Sequence, residues 1–190
     1  MRVRVQVRQA VLAAWIVVGA LAPALAQQAQ APAQAPAQAP AQALAQAPVD
    51  ACAAFKWPIG DAKSALSGDV AKVASGAKAG ADFELALAAN DQVPFPVKPQ
   101  RSPKKAGTFG GFVTADAPKG KLLQVTVSDY AWIDVVQDGK LARSKGFAAN
   151  AGCEGVRRSV RFTVKAAQPV TVQISGADRQ TIRVDLRGVD

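Results

Sequence analysis

Four segments in the C-terminal half of the chain alternate between apolar and polar residues. They span residues 123–128, 160–164, 170–174 and 182–186, and turn-forming residues such as Gly, Asp and Pro lie between them. A period of two places every second side chain on the same face of a β-strand. Short strands with one buried face are typical of antiparallel sandwiches and barrels. We therefore predict a mainly β fold, an antiparallel β-sandwich of the jelly-roll type with a short N-terminal helix.

A further region with strand character contains a turn signal. Asp138-Gly139 lies between residues 132–137, which are mostly apolar, and residues 140–142. A two-residue type I′ turn needs a positive φ at both central positions, which the Asp-Gly dipeptide adopts readily. The sequence therefore predicts a β-hairpin at this point.

The part of the domain before these strands has a mixed pattern. Asp61 is a suitable N-cap for a short helix that runs to about Leu66 and ends at Gly68. Residues 83–87 alternate and predict another strand. Residues 90–107 contain four prolines, so we expect a long loop or edge segment there, because proline cannot donate to a sheet ladder.

The first 26 residues have the three parts of a secretory signal peptide. Three arginines precede a mostly apolar run at residues 10–21, and Ala24-Leu25-Ala26 fits a cleavage site. The apolar run is shorter than the ~20 residues that a membrane-spanning helix needs. We therefore expect a cleaved signal peptide at residues 1–26, a periplasmic or secreted location, and no membrane span after cleavage.

Residues 27–49 form a low-complexity segment in which Ala-Pro-Ala-Gln occurs three times in succession. The segment has no charged and no aromatic side chain, so it cannot bury enough surface to offset the entropy lost on ordering. We predict a disordered linker, which is either a functional spacer or a neutral tail. Residues 50–190 then have the size of one β-sandwich domain, which we expect to be monomeric.

Cys52 and Cys153 are the two cysteines of the chain. In an oxidising compartment such a pair is expected to form a disulfide. A pair of free, redox-active thiols is the alternative, but catalytic pairs are usually close in sequence. We predict a structural bridge that joins the start of the domain to the loop before the strand at residues 156–165.

The charged residues limit the chemistry and the partners of the protein. The chain has 23 Lys or Arg, 14 Asp or Glu and no His, which excludes a Ser-His-Asp triad and a His-ligated zinc or iron site. We expect no metal and no cofactor. Loss of the three signal arginines leaves a net charge of +6, which favours anionic surfaces. An exported protein rarely meets nucleic acid, so we expect no nucleic-acid partner.

A basic loop and an aromatic strand supply the candidates for ligand binding. Cations in a proline-stiffened loop lose little freedom on binding, and exposed aromatic rings can stack on a sugar. Arginines that share a strand face can bind carboxylate or phosphate. The simpler alternatives are aromatic side chains in the core and a solvated strand face with cross-strand ion pairs. The candidates are Lys98, Arg101, Lys104, Lys105, Tyr130, Trp132, Asp134, Arg157, Arg158 and Arg161.

Asp129, Asp134 and Asp138 surround the aromatic pair Tyr130 and Trp132. Two carboxylates are enough for a glycosidase and three for a calcium site, although the spacing differs from that of a calcium-binding loop. Asp138 is already explained by the predicted turn. Asp134 lies in an apolar segment, where a buried carboxylate beside an arginine is the simpler interpretation.

Residues 128–139 and 152–162 together resemble a family of small exported proteobacterial proteins of unknown function. More loosely, the strand that ends in an acid-Gly turn is similar to the pre-peptidase C-terminal β-sandwich domains of secreted proteases. The resemblance covers roughly residues 52–190. The similarity to pre-peptidase domains implies an accessory binding module, and it assigns no activity to any residue.

These observations predict a non-enzymatic envelope module that binds an anionic envelope polymer or another envelope protein. The alternative is a hydrolase that acts on envelope carbohydrate through the carboxylates near Asp134. An exposed cleft shared by Asp129 and Asp134 would favour the enzyme. Burial of Asp134 against an arginine would favour the binding module.

Overall fold

The alternating segments form strands of two β-sheets in the computed structural model, which describes residues 50–101 and 103–190. The predicted signal peptide and linker, residues 1–49, lie outside the described residues. The strands are β1 (Ala71–Val73), β2 (Asp82–Ala86), β3 (Ala88–Ala89), β4 (Phe109–Asp116), β5 (Leu122–Val127), β6 (Trp132–Gln137), β7 (Lys140–Leu141), β8 (Ser144–Ala149), β9 (Arg158–Phe162), β10 (Pro169–Ala177) and β11 (Thr181–Val189).

The order of the strands confirms the predicted jelly-roll type. One sheet has the order β1-β2-β11-β5-β9-β8, and the other has the order β3-β4-β10-β6-β7. Along the chain, β2, β4, β5 and β6 alternate between the two sheets, as do β9, β10 and β11, whereas β8 and β9 are neighbours in one sheet. This alternation is typical of the Greek keys of a jelly roll. The pairs are antiparallel except for β1 with β2, which is parallel.

The two sheets share one apolar core. Val113, Val135 and Ile174 come from the five-stranded sheet, and Phe83 and Val125 come from the six-stranded sheet. These five side chains are completely buried, at 0 % exposure. The apolar residues of the alternating segments therefore lie on the face of each strand that points toward the opposite sheet.

The predicted hairpin joins β6 to β7. Asp138 has a φ of 52° and Gly139 a φ of 71°, so both central residues adopt the left-handed conformation of a type I′ turn. The turn sets the register in which Val136 faces Leu141 and Gln137 faces Lys140. Both strands and the turn residues agree with the sequence prediction.

An N-terminal segment covers the outer face of the six-stranded sheet, which the alternation pattern predicted to be solvated. A 3₁₀ turn (Ala51–Ala54) and helix α1 (Gly60–Ser67) belong to this segment. Its apolar side chains form a second cluster with Ala148, Cys153 and Val156. As a result the polar residues of β5 are buried as well, with Gln124 at 2 % exposure. The prediction of a single buried face is therefore wrong for β5.

Helix α1 begins two residues earlier than its sequence signal indicates. Ile59 occupies the N-cap without a side-chain hydrogen bond, and Asp61 lies inside the first turn. A carboxylate in the first turn still interacts favourably with the helix dipole. Gly68 ends the helix, as the sequence predicts.

The disulfide prediction is confirmed. Cys52 and Cys153 are bonded, with their Cα atoms 4.6 Å apart, and the bridge attaches the N-terminal segment to the turn before β9. Residues 90–101 and 103–107 belong to the predicted loop, with one 3₁₀ turn (Asn90–Gln92) at its start. Across residues 50–101 and 103–190, no helix combines the length and the hydrophobicity that a membrane crossing requires.

Candidate functional site

The proline-rich loop and the aromatic segment meet in one groove. The groove has a volume of about 390 Å³ and lies between the loop, the start of β6 and the end of β10. We call it the cationic–aromatic groove. Its cationic and aromatic lining residues are Arg101, Lys104, Lys105, Tyr130 and Trp132. The structure thus brings together five of the candidate residues that come from two distant parts of the sequence.

Two buried polar side chains hold the loop against the five-stranded sheet. The Gln173 amide accepts a hydrogen bond from the Val97 N–H at 3.0 Å and donates one to the Val97 carbonyl at 2.9 Å. Asp134, which faces Gln173 across the β10–β6 pair, accepts a hydrogen bond from the Gln100 N–H at 3.1 Å. These contacts place Arg101, the next residue, at the groove.

Asp134 is therefore explained by the position of the loop. Its side chain is buried, at 3 % exposure, and burial raises the pKa of its carboxyl group. The Gln100 hydrogen bond, the nearby Trp132 side chain and the charge of Arg158 oppose this increase in pKa. A buried carboxylate that already accepts a backbone hydrogen bond is poorly placed to reach a substrate.

Trp132 lies between the loop and β9 and contacts two guanidinium groups. The guanidinium carbon of Arg101 is 4.5 Å from the indole centroid, and that of Arg158 is 4.6 Å from it. Cation–π contacts of this kind favour Trp and are stronger where water is excluded. They hold the indole ring in place at the wall of the groove.

Arg158 is the most unusual residue near the groove. It is 4 % exposed, and its buried Nε meets no hydrogen-bond acceptor among the described residues. None of the ion pairs formed within residues 50–101 and 103–190 includes it. Burial lowers the pKa of Arg158 and the charge of Arg101 adds to this effect, whereas Tyr130 and Asp134 oppose it. The positive charge of Arg158 and Arg101 is therefore only partly compensated by Asp134.

The three arginines of β9 and its preceding loop do not form the single patch that the sequence left open. Arg157 lines a separate polar pocket that also includes Lys63 and Arg179. Arg161 lies over the Trp57 ring at 4.5 Å and donates to the Gln124 side chain at 2.9 Å. The alternation along β9 turns Arg158 and Arg161 to opposite faces, so these three arginines do not share one surface.

The cations of the basic loop also differ in their position relative to the groove. Lys98 is exposed and does not belong to the residues that line the groove. Lys105 lines the groove but forms an exposed ion pair with Asp178 at 2.9 Å. Arg101 and Lys104 are therefore the loop cations that we expect to contribute most to the attraction of an anion.

The acidic residues near the aromatic pair have separate partners. Asp129 pairs with Arg179 at 2.9 Å, and Asp138 pairs with Lys165 at 2.8 Å. Asp129 lines the same pocket as Arg157, whereas Asp134 lies under the loop. Over the described ranges, no three acidic or cysteine side chains come close enough together to hold a metal ion.

Sequence reasoning missed two features beside the groove, namely the position of Phe147 and the burial of Arg158. Phe147 contacts Arg158 at 5.1 Å from its ring centroid, but strand β8 has no clear alternation. Arg158 has the same parity as Val160 and Phe162, so the pattern of β9 already turned it toward the inner side of the sheet. The parity of Arg158 thus indicated its inward position from the sequence alone. A charged residue at such a position, however, usually indicates that the strand has ended.

Comparisons of the chain with protein-family models, with curated proteins and with solved structures found no match. The functional interpretation consequently depends on the chemistry of the groove and of the residues around it.

Proposed function

We propose that this protein is a non-enzymatic binding module of the bacterial envelope that holds an anionic polymer in the cationic–aromatic groove. The observation that carries the proposal is the convergence of Arg101 and Lys104 with Tyr130 and Trp132 around one cavity of about 390 Å³. Flat apolar rings beside cations suit a ligand that has both apolar faces and negative charges.

The loop that supplies the cations is held in place before any ligand binds. Gln173 and Asp134 fix its backbone at Val97 and Gln100, and prolines limit its remaining freedom. Because little backbone entropy remains to be lost, more of the interaction energy contributes to affinity. The disulfide fits a protein of an oxidising compartment, which agrees with the predicted export.

The geometry favours binding over the alternative of carbohydrate hydrolysis. A glycosidase needs two carboxyl groups that face one cleft about 5–9 Å apart. Asp134 is buried under the loop, and Asp129 belongs to another pocket, where Arg179 neutralises it. The hydrolase interpretation therefore gains no support from these two residues.

Retention of the purified full chain on immobilised polygalacturonate, compared with uncharged dextran, tests the proposed function. We expect retention on the charged resin alone, and elution as salt rises, because exposed charges are screened within ~8 Å at physiological ionic strength. Arg101→Gln combined with Lys104→Gln should abolish most of the retention at 0.15 M salt. The melting temperature should stay nearly unchanged, because both side chains are exposed.

Arg157→Gln is the matched control, because it removes one positive charge from a neighbouring but separate pocket. It should reduce retention only slightly. A loss in the control that is about half of the loss in the groove variant, in proportion to the charge removed, would show that net charge, and not the groove, attracts the polymer. Retention that does not respond to salt, or no retention on any anionic polymer, would contradict the proposal.

A further inference from the structure

The aromatic surface continues past the groove. Tyr130 is 57 % exposed and Phe147 is 53 % exposed, and they are the large hydrophobic side chains that stand out from the described surface. Tyr130 belongs to the β5–β6 loop of the groove, whereas Phe147 lies on β8, the edge strand of the other sheet. Exposed rings on two sheets at one side of the molecule are typical of a binding surface.

One buried residue connects these rings. The Arg158 guanidinium carbon lies 5.6 Å from the Tyr130 centroid, 5.1 Å from the Phe147 centroid and 4.6 Å from the Trp132 centroid. A single side chain therefore supports three aromatic rings at once. Since one guanidinium contacts all three, a short run of linked sugars is long enough to reach from Trp132 to Phe147.

Cations lie beside the aromatic rings at both ends of the stretch from Trp132 to Phe147. Arg101 lies over Trp132 at the groove, and the exposed Lys56 lies over Phe147 at 5.6 Å. Arg158 adds a buried charge that has no acidic partner within ion-pair distance among the described residues. A buried charge without a partner is costly, which is the second observation that points to an anionic ligand here. We call this set the aromatic–cation band; its members are Arg101, Trp132, Tyr130, Arg158, Phe147 and Lys56.

We propose that the ligand is an acidic polysaccharide that occupies at least two subsites, one in the groove and one at Phe147 and Lys56. This inference rests on the proposed function and extends it to a ligand class and a length. Sugar rings present flat C–H faces that pack on the exposed parts of aromatic rings, and their carboxylates lie at the ring edges. The exposed cations beside Trp132 and Phe147 match that arrangement.

A single-stranded nucleic acid also combines rings with negative charge. The disulfide fits an oxidising compartment outside the cytoplasm, where a protein rarely meets nucleic acid. The observations therefore favour the glycan, and the nucleic acid serves as a competing outcome of the experiment.

The experiment measures the affinity of the full chain for oligogalacturonates of two to ten residues by calorimetry. Maltooligosaccharides of equal length and oligo(dT) are the comparison ligands. For the native protein we expect affinity to rise with length until both subsites are filled and then to level off. Phe147→Ala with Lys56→Gln should remove the gain at the longer lengths, roughly three- to tenfold. Lys72→Gln, on β1 at the opposite edge of the six-stranded sheet, is the control and should bind like the native protein.

The same experiment distinguishes a wrong inference about the second subsite from a wrong proposed function. If oligogalacturonates bind but Phe147→Ala with Lys56→Gln keeps the full length dependence, the second subsite does not exist. Equal affinity for maltooligosaccharides, or tighter binding of oligo(dT), would overturn the acidic polysaccharide as ligand. If the native protein binds no anionic oligomer at all, the proposed function itself fails.

Arg158→Met separates a binding role of the buried arginine from a purely structural one. Replacing a buried, unpaired charge with an apolar side chain of similar length is often neutral or stabilising. We therefore expect a melting temperature that is unchanged or higher, together with several-fold weaker binding of the longest oligogalacturonate. A clearly lower melting temperature with unchanged affinity would show that Arg158 only supports the fold.

Discussion

At the scale of single residues, a pair of neighbouring acids in the six-stranded sheet determines how stability depends on pH. Asp82 and Asp185 face each other across the β2–β11 pair, and Asp185 is fully buried. Arg187 Nε donates to both carboxylate oxygens of Asp185 at 2.9 Å. Asp82 Oδ1 is buried, and no N–H or O–H of the described residues donates to it, so a proton shared with Asp185 is its available partner. Burial and the neighbouring Asp82 raise the pKa of Asp185 to about 7.

This raised pKa predicts that the protein loses stability as the pH rises from about 4 to 7. Over that interval the folded protein retains a proton on Asp185, whereas the unfolded chain releases it at the ordinary pKa of 3.8. The free energy of unfolding should fall by roughly 2–4 kcal/mol across the interval and then level off. Urea denaturation at pH 4.5, 6 and 8 measures it.

Asp82→Asn should flatten this dependence and raise stability at pH 8, because it removes the like charge next to Asp185. Asp61→Asn is the control, since Asp61 is exposed and lies 3.7 Å from Arg187. It should leave the slope unchanged. Parallel pH profiles for the native protein and Asp82→Asn would contradict the assignment.

Gly188 gives a second prediction at the residue scale. A Cβ atom at this position in β11 would overlap the Lys119 carbonyl, which the backbone cannot easily move. Gly188→Ala should therefore destabilise the domain by roughly 2–4 kcal/mol in thermal unfolding. Gly80→Ala is the matched control, because a Cβ there meets no atom within 4 Å. Similar melting temperatures for the two variants would refute the steric argument.

At the scale of elements, the loop over the five-stranded sheet depends on one glutamine. Gln173 forms paired hydrogen bonds with the backbone of Val97, as a neighbouring strand would. Gln173→Ala should destabilise the protein by about 1–3 kcal/mol and weaken polymer binding, because it leaves the partly buried backbone groups of Val97 unpaired and releases Arg101. Chemical denaturation and the retention assay measure the two effects.

Gln137 offers a control with the same chemistry. Its amide forms the same pair of hydrogen bonds with the backbone of Lys165, but in an exposed position. Gln137→Ala should cost less stability, because water can replace the lost hydrogen bonds, and it should not change binding. Equal effects of both alanine variants on retention would show that the loop does not position the groove.

Local sequence signals predicted the elements of this fold better than they predicted its layers. The turn at Asp138 is determined by local backbone preference, so it could be identified from two residues. The burial of Gln124 and Gln173 depends on segments that are far away in the sequence, so no local sequence pattern predicts this burial. The same limit applies to the site: the loop cations and Trp132 were visible as candidates, but their contact depends on how residues 97–101 cross the sheet.

At the scale of the whole molecule, the disulfide closes most of the domain into one covalent loop. The bonded cysteines are 101 residues apart, and in the chain-entropy account such a loop contributes about 4–5 kcal/mol to stability. Cys52→Ser with Cys153→Ser should lower the melting temperature markedly, and the native protein should show no free thiol in a mass measurement after alkylation without reductant. Full alkylation of both cysteines in the folded, unreduced protein would contradict the bridge.

The same bridge determines how the domain responds to mechanical tension. A force applied between residue 50 and residue 190 enters at Cys52 and passes through the sulfur–sulfur bond to Cys153. Residues 53–152, which include α1 and strands β1 to β8, lie within the covalent loop, so this tension cannot extend them. Only β9, β10 and β11 can be drawn out, and β11 is held on both sides by β2 and β5. Stretching should therefore extend the protein by less than half of its contour length, and chemical reduction should release the rest.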